Sequence, residues 1–240
     1  MAMKKWIACL LAGLLLLGIA GCGEKSDAGA EQAAVAEGNG ALSHEDYVAS
    51  EYGVEVTVNC YVQGTCDWKY DEVAGEGRIS VYAQDQDGGY FIYDLLCSEA
   101  DARRLEPGTG ICVTGIKVGV AGGEEIQEAT FTFLEGEPYV AQPVDVTDLL
   151  ATENLPDYQY QIVSLEGMGV EAVAYQNEDK SGNIKLVLSK DGNFYTAWVM
   201  LGLVEETDTL YQAAGKLSPG DTVNLQGFLY WYEEMELHIT

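Results

Sequence analysis

Four cysteines (Cys60, Cys66, Cys97, Cys112), two histidines (His44, His238) and a wealth of tyrosine and tryptophan are the residues of this chain that could carry chemistry. Nucleophilic catalysis of the Ser-His-Asp kind needs a histidine within hydrogen-bond reach of the nucleophile. His44 stands near the start of the ordered region and His238 on the last strand, so no such constellation is expected. Asp and Glu total 39, so frequent that no pair stands out as acid and base. Asp85, Asp87 and Gly88 hint at a calcium loop, but the twelfth position counted from Asp85 is Leu96, where an EF-hand requires Glu. A hairpin turn explains them better. The chain reads as a non-enzyme with no catalytic residues, no metal site and no cofactor.

The cysteine spacings are not those of a zinc ribbon, and C-x-x-C is absent. Two readings stand side by side, disulfides in an oxidising compartment and buried free thiols. On one straight strand Cys60 and Cys66 would lie about 20 Å apart, whereas a disulfide needs Cα atoms within about 7 Å. They can pair only if the chain turns at Gly64, which leaves Cys97 with Cys112 as the less constrained pair. Among the aromatics, Tyr82 and Tyr93 alternate with the apolar Val81 and Ile92, and Tyr195 and Trp198 stand in the second half. These four are the candidate ligand face, able to stack on a ligand. Competing with that is plain packing, because Tyr and Trp are good strand formers.

Such residues must be positioned, first by where the chain resides. Lys4 and Lys5 precede an apolar run over residues 6–20, and Cys22 follows Ile19, Ala20 and Gly21. That run is shorter than the roughly 20 residues a span needs, and small residues before a cysteine read as a processing site. The pattern resembles the bacterial lipoprotein signal. The resemblance implies a signal peptide over residues 1–21, lipid on Cys22, and a protein anchored at the extracytoplasmic face of the cell membrane. Residues 22–42, rich in Ala, Gly, Glu and Gln, are expected to form a flexible tether.

Charge constrains partners. Twelve Lys and Arg against 39 acids give a net charge of −27, and loss of Lys4 and Lys5 leaves 10 − 39 = −29. Binding to phosphates draws on clustered Lys and Arg, and the one adjacent basic pair after the signal is Arg103-Arg104. This argues against nucleic acid and against a bare anionic lipid surface.

Period-two alternation from Val54 to Val62 marks a first strand, and further strands are expected over residues 78–84, 90–95, 110–118 and 125–134. Ser43 and Ser98 look like helix N-caps. The second half repeats the order: Leu105, Pro107, Gly108 and Gly115 recur as Leu217, Pro219, Gly220 and Gly227, and Ile79 and Val81 as Ile184 and Leu186. Five strands with a helix between the third and fourth are the element order of the OB-fold, a partly open Greek-key barrel. The expected fold is thus all-β, two tandem five-stranded OB-like barrels with short helices, over residues 43–138 and 139–240. The boundary falls in the stretch carrying Gly136, Pro138 and Pro143. Residues 90–93, 125–131 and 227–232 carry a resemblance to uncharacterised exported bacterial lipoproteins with tandem OB-like domains. Fold, charge and aromatics together lead to an expected function: a membrane-tethered, non-catalytic module, attached through lipid on Cys22, that recognises a protein, peptide or glycan. The alternatives are a single-stranded nucleic-acid-binding OB protein and a structural spacer in an envelope complex.

Overall fold

The computed structural model describes residues 40–73 and 75–240, so the signal, Cys22 and the tether as far as residue 39 lie outside the described residues. Leu42, expected in the tether, already donates its backbone N–H to the Thr57 carbonyl at 2.8 Å. Helix α1 (His44–Ala49) follows, capped by Ser43, whose hydroxyl accepts the Asp46 N–H at 3.1 Å.

Strand β1 (Glu55–Thr65) buries Val56, Val58, Cys60 and Val62 on one face, as the alternation predicts. Its register then slips between Val62 and Gly64. A bulge bends a strand and sharpens its twist, and here it lets one strand serve two neighbours. Then come β2 (Lys69–Asp71), β3 (Glu76–Gln84), β4 (Gly89–Leu96), α2 (Glu99–Ala102), β5 (Gly110–Val120) and β6 (Gly123–Phe133). The first half of β1 pairs with β5 and its end with β3, so the sheet closes in the order β1-β3-β4-β6-β5, with β4 and β6 parallel. The short β2 adds to β3 outside the ring.

The second half contains β7 (Val144–Asp145), β8 (Ile162–Tyr175), β9 (Ile184–Lys190), β10 (Asn193–Val199), α3 (Thr209–Ala214), β11 (Thr222–Tyr232) and β12 (Glu234–Ile239). It closes in the same order, β8-β9-β10-β12-β11, with β10 and β12 parallel. Both rings have the strand order of an OB barrel, with the helix between third and fourth strands. The described residues belong to one compact unit.

The glycines shared by the two halves have a physical reason. Gly108 and Gly220 turn the chain into the fourth strand at φ 94° and 96°, the left-handed region where a Cβ is strained. Gly115 and Gly227 lie against backbone, where a Cβ would come within 2.7 Å of the Gln127 oxygen and 2.3 Å of the His238 oxygen. Each barrel has its own apolar core, one around Val58, Val81, Ile92 and Val113, the other around Leu165, Leu186, Ala197 and Leu229.

The disulfide expectation is corrected: no disulfide joins any two of Cys60, Cys66, Cys97 and Cys112, the Cys97 and Cys112 pair included. Cys97 packs into the core of the first barrel and its Sγ–H reaches the Ser98 carbonyl at 3.3 Å. Cys112 sits on the other face of β5, out of phase with the buried Ile111 and Val113. Cys60 and Cys66 are parted by the bulge, Cys60 joining the barrel core and Cys66 the contact with the second barrel. Burial raises every one of these thiols, Cys66 and Cys97 to about 11, where Asp67 and Asp101 add to it.

Candidate functional site

Tyr82 points out of the first barrel, as its alternation with Val81 predicts, yet it is only 1% exposed. The second barrel covers it. Its ring is parallel to that of Phe228 at 4.3 Å between centroids and 3° between planes, and tilted against Phe91 at 4.7 Å. Phe91 stacks in turn on Tyr160 at 5.6 Å. Tyr82, Phe91, Tyr160 and Phe228 form a third core, with Cys66, Ile162, Leu203 and Tyr230 against it. Gly64 makes this possible, because a Cβ there would lie 2.8 Å from the Phe228 ring.

Polar groups close the seam. Tyr82 Oη and His238 Nδ1 share a hydrogen bond of 2.5 Å, His238 stacks on Tyr230 at 4.4 Å, and its Nε2 lies 3.6 Å from Glu236 Oε2. The Tyr230 hydroxyl donates to Glu125 Oε1 at 3.2 Å, and Gln127 Nε2 donates to Glu125 Oε2 at 2.9 Å. The Ile162 N–H donates to Gln84 Oε1 at 3.1 Å. A carboxylate, an imidazole and a hydroxyl in that order can let the imidazole take the hydroxyl proton while the carboxylate steadies the resulting cation. Here burial raises the Tyr82 hydroxyl well above its ordinary value, with Cys66, Tyr230, Tyr160 and Glu125 adding to the effect, so the proton stays on the oxygen. Burial pushes Glu236 up, but hydrogen bonds from His238 and Trp198 outweigh it and leave the carboxyl lowered.

Lys117, unremarked in the sequence, is a second polar anchor at 1% exposure. Its ammonium donates to the carbonyls of Tyr47, Val48 and Ser50 at 2.8, 2.8 and 3.0 Å and pairs with Glu124 at 3.1 Å. The cation thus caps the C-terminal end of α1, where carbonyls lack partners. A signal was available: Ile111, Val113, Gly115 and Lys117 share one phase of β5, the buried one.

The other aromatic candidates have separate fates. Tyr93 is 46% exposed beside Phe91 on the first barrel. Trp198 is half-buried, with the Lys185 ammonium 5.4 Å from its ring centroid. Tyr195 lines a groove of about 450 Å³ at one end of the second barrel. Phe194, Trp231, Glu234, Met235 and Leu155 line the same groove, and Phe194 is 69% exposed. Sequence reading missed the groove, because Trp231 and Met235 face one another across β11 and β12 while Leu155 comes from the connection before β8.

No family model matches the chain, and no curated protein matches it. Solved structures do. One described as a murine DNA binding protein bound with ds DNA is 9% identical, with 75% of this chain and 90% of that chain covered and a TM-score of 0.37. The p204 HINb domain is 12% identical over 80% and 96%, at a TM-score of 0.35. A replication protein A heterotrimer bound to ssDNA is 9% identical over 82% and 67%, at 0.30.

These matches correct two expectations. The sequence reading named a protein, peptide or glycan as ligand and argued against nucleic acid, whereas structures of similar shape are described as bound to dsDNA or ssDNA. At such low TM-scores the likeness assigns no ligand to this chain. Within the chain itself, Tyr82 is filled by the second barrel rather than offered to a ligand.

Proposed function

We propose that the chain is a structural spacer of the cell envelope, a rigid two-barrel body carried by a lipid anchor on Cys22 at the extracytoplasmic face of the membrane. Its role is non-catalytic, to set a fixed geometry between whatever its two ends contact. The observation that carries this reading is the stack of Tyr82 on Phe228. OB barrels take ligands on the face of their second and third strands, and in the first barrel that face, β3 and β4, is spent on the neighbouring barrel. Domains meant to move present small and polar interfaces. This seam is instead aromatic at its centre, with Gln84, Glu125 and His238 all engaged around it.

Rigidity is the property to measure. Residual dipolar couplings from both barrels in a weakly aligned sample should fit a single alignment tensor. Two independent tensors would sink the spacer, as would saturable capture of an oligonucleotide that requires the barrels to part. The anchor has its own test: Cys22→Ala should leave the detergent phase and lose lipid labelling.

A further inference from the structure

The groove at the end of the second barrel has no task in a spacer. Phe194 is 69% exposed there, a large apolar side chain left in water beside Tyr195 and Trp231. Tyr195 and Trp231 are half-buried, each resting on the core of the second barrel while lining the groove, so the Phe194 ring is the one most open to an occupant. Among the described residues Glu234 is the only charged one lining the groove, and no ion pair to it is formed there. The volume of about 450 Å³ suits a small molecule.

From this juxtaposition we propose that the groove binds a small organic cation of the alkylammonium class, with its charged head among Phe194, Tyr195 and Trp231 and facing Glu234. Charge complementarity selects the occupant. An aromatic face carries negative quadrupole potential and attracts a cation, most strongly where water is partly excluded. The single carboxylate adds a formal partner, and the field of a chain with net charge −27 concentrates cations near its surface. Alkyl groups on nitrogen spread the charge and reduce hydration, so such a head gives up water for aromatic contact at lower cost than a bare ammonium. The Met235 thioether offers a polarizable wall to those alkyl groups.

The experiment is calorimetric titration of the full chain with choline, with tetramethylammonium and with 3,3-dimethylbutan-1-ol, the uncharged isostere of choline. Both cations should bind at one site per chain, and the isostere about tenfold more weakly, the scale of one cation–π contact. Trp231→Ala and Glu234→Gln should each weaken choline binding several-fold, and Phe194→Ala likewise, while Trp198→Phe, outside the groove, should leave it unchanged. Because Trp231 also packs on the barrel core, its variant is paired with Phe194→Ala, whose exposed side chain can be removed without unfolding the protein. No heat with either cation at millimolar concentration, or equal affinity for the neutral isostere, would overturn the proposal. Displacement of choline by an oligonucleotide would overturn it too. Rigidity of the two barrels is measured independently, so the spacer stands or falls apart from this site.

Discussion

The Tyr82 ring lies flat on the Phe228 ring, 4.3 Å away and 3° from parallel, and the two residues come from strands 146 positions apart in different barrels. Each belongs to the outward face of its own barrel, and each is buried by the other. Stability of the whole body should therefore respond to a contact that neither barrel needs for its own closure.

Removing the Phe228 ring should cost about 3–5 kcal/mol, the range for truncating a buried Phe to Ala. Urea unfolding of Phe228→Ala should show the loss, and separate transitions for the two barrels should emerge where the wild type shows one. Tyr82→Phe keeps the stack but strands His238 Nδ1, at a cost of about 1–3 kcal/mol. A wild-type midpoint in both variants would show that the seam is idle.

Gly64 should tolerate no larger residue. Its Cβ position lies 2.8 Å from the Phe228 ring, so Gly64→Val must push the barrels apart at about 1–3 kcal/mol. Narrow-angle scattering and thermal midpoint should both shift, while far-ultraviolet circular dichroism stays that of the wild type.

Alkaline pH should destabilise the fold through the seam tyrosines. Burial raises Tyr82 and Tyr230 above the ordinary value of 10.0, and Glu125 raises Tyr230 further. The folded state therefore holds protons that the unfolded chain releases. The contribution is whole below the unfolded value and is lost as pH rises through and above it. Thermal midpoints should fall above about pH 10, with a shallower slope in Tyr82→Phe.

No disulfide should form among the four cysteines. Alkylation of native protein should reach Cys112 first, with Cys60, fully buried in the barrel core, last. Mass spectrometry without reduction should find no mass loss of a bridge between Cys97 and Cys112.

Lys117→Met should free α1 from the barrel. The ammonium satisfies three helix-end carbonyls and pairs with Glu124, and removing it leaves that carboxylate half-buried without its partner. Breaking a buried pair costs about 3–5 kcal/mol. Amide exchange over residues 44–50 should accelerate before the rest of the first barrel responds.

Alternation along β1, the serine caps and the paired turn glycines are local properties, and they were readable from residue types alone. Val56, Val58, Cys60 and Val62 had to share one face because a strand repeats every two residues. Gly108 and Gly220 had to be glycine because of their backbone angle. Repetition of such local marks was enough to place two OB barrels. Which outward residues meet water is a different kind of quantity, set by what another part of the chain brings to them. Tyr82 and Tyr93 look alike in sequence, yet Phe228 covers one and leaves the other 46% exposed. Cys97 and Cys112 looked bridgeable on spacing, and only their placement on opposite faces of the barrel wall separated them. Lys117 found its partners at the end of a helix some seventy residues earlier. Tertiary structure decided these cases because burial and hydrogen bonding depend on long-range contacts, whereas periodicity records only which face a residue occupies.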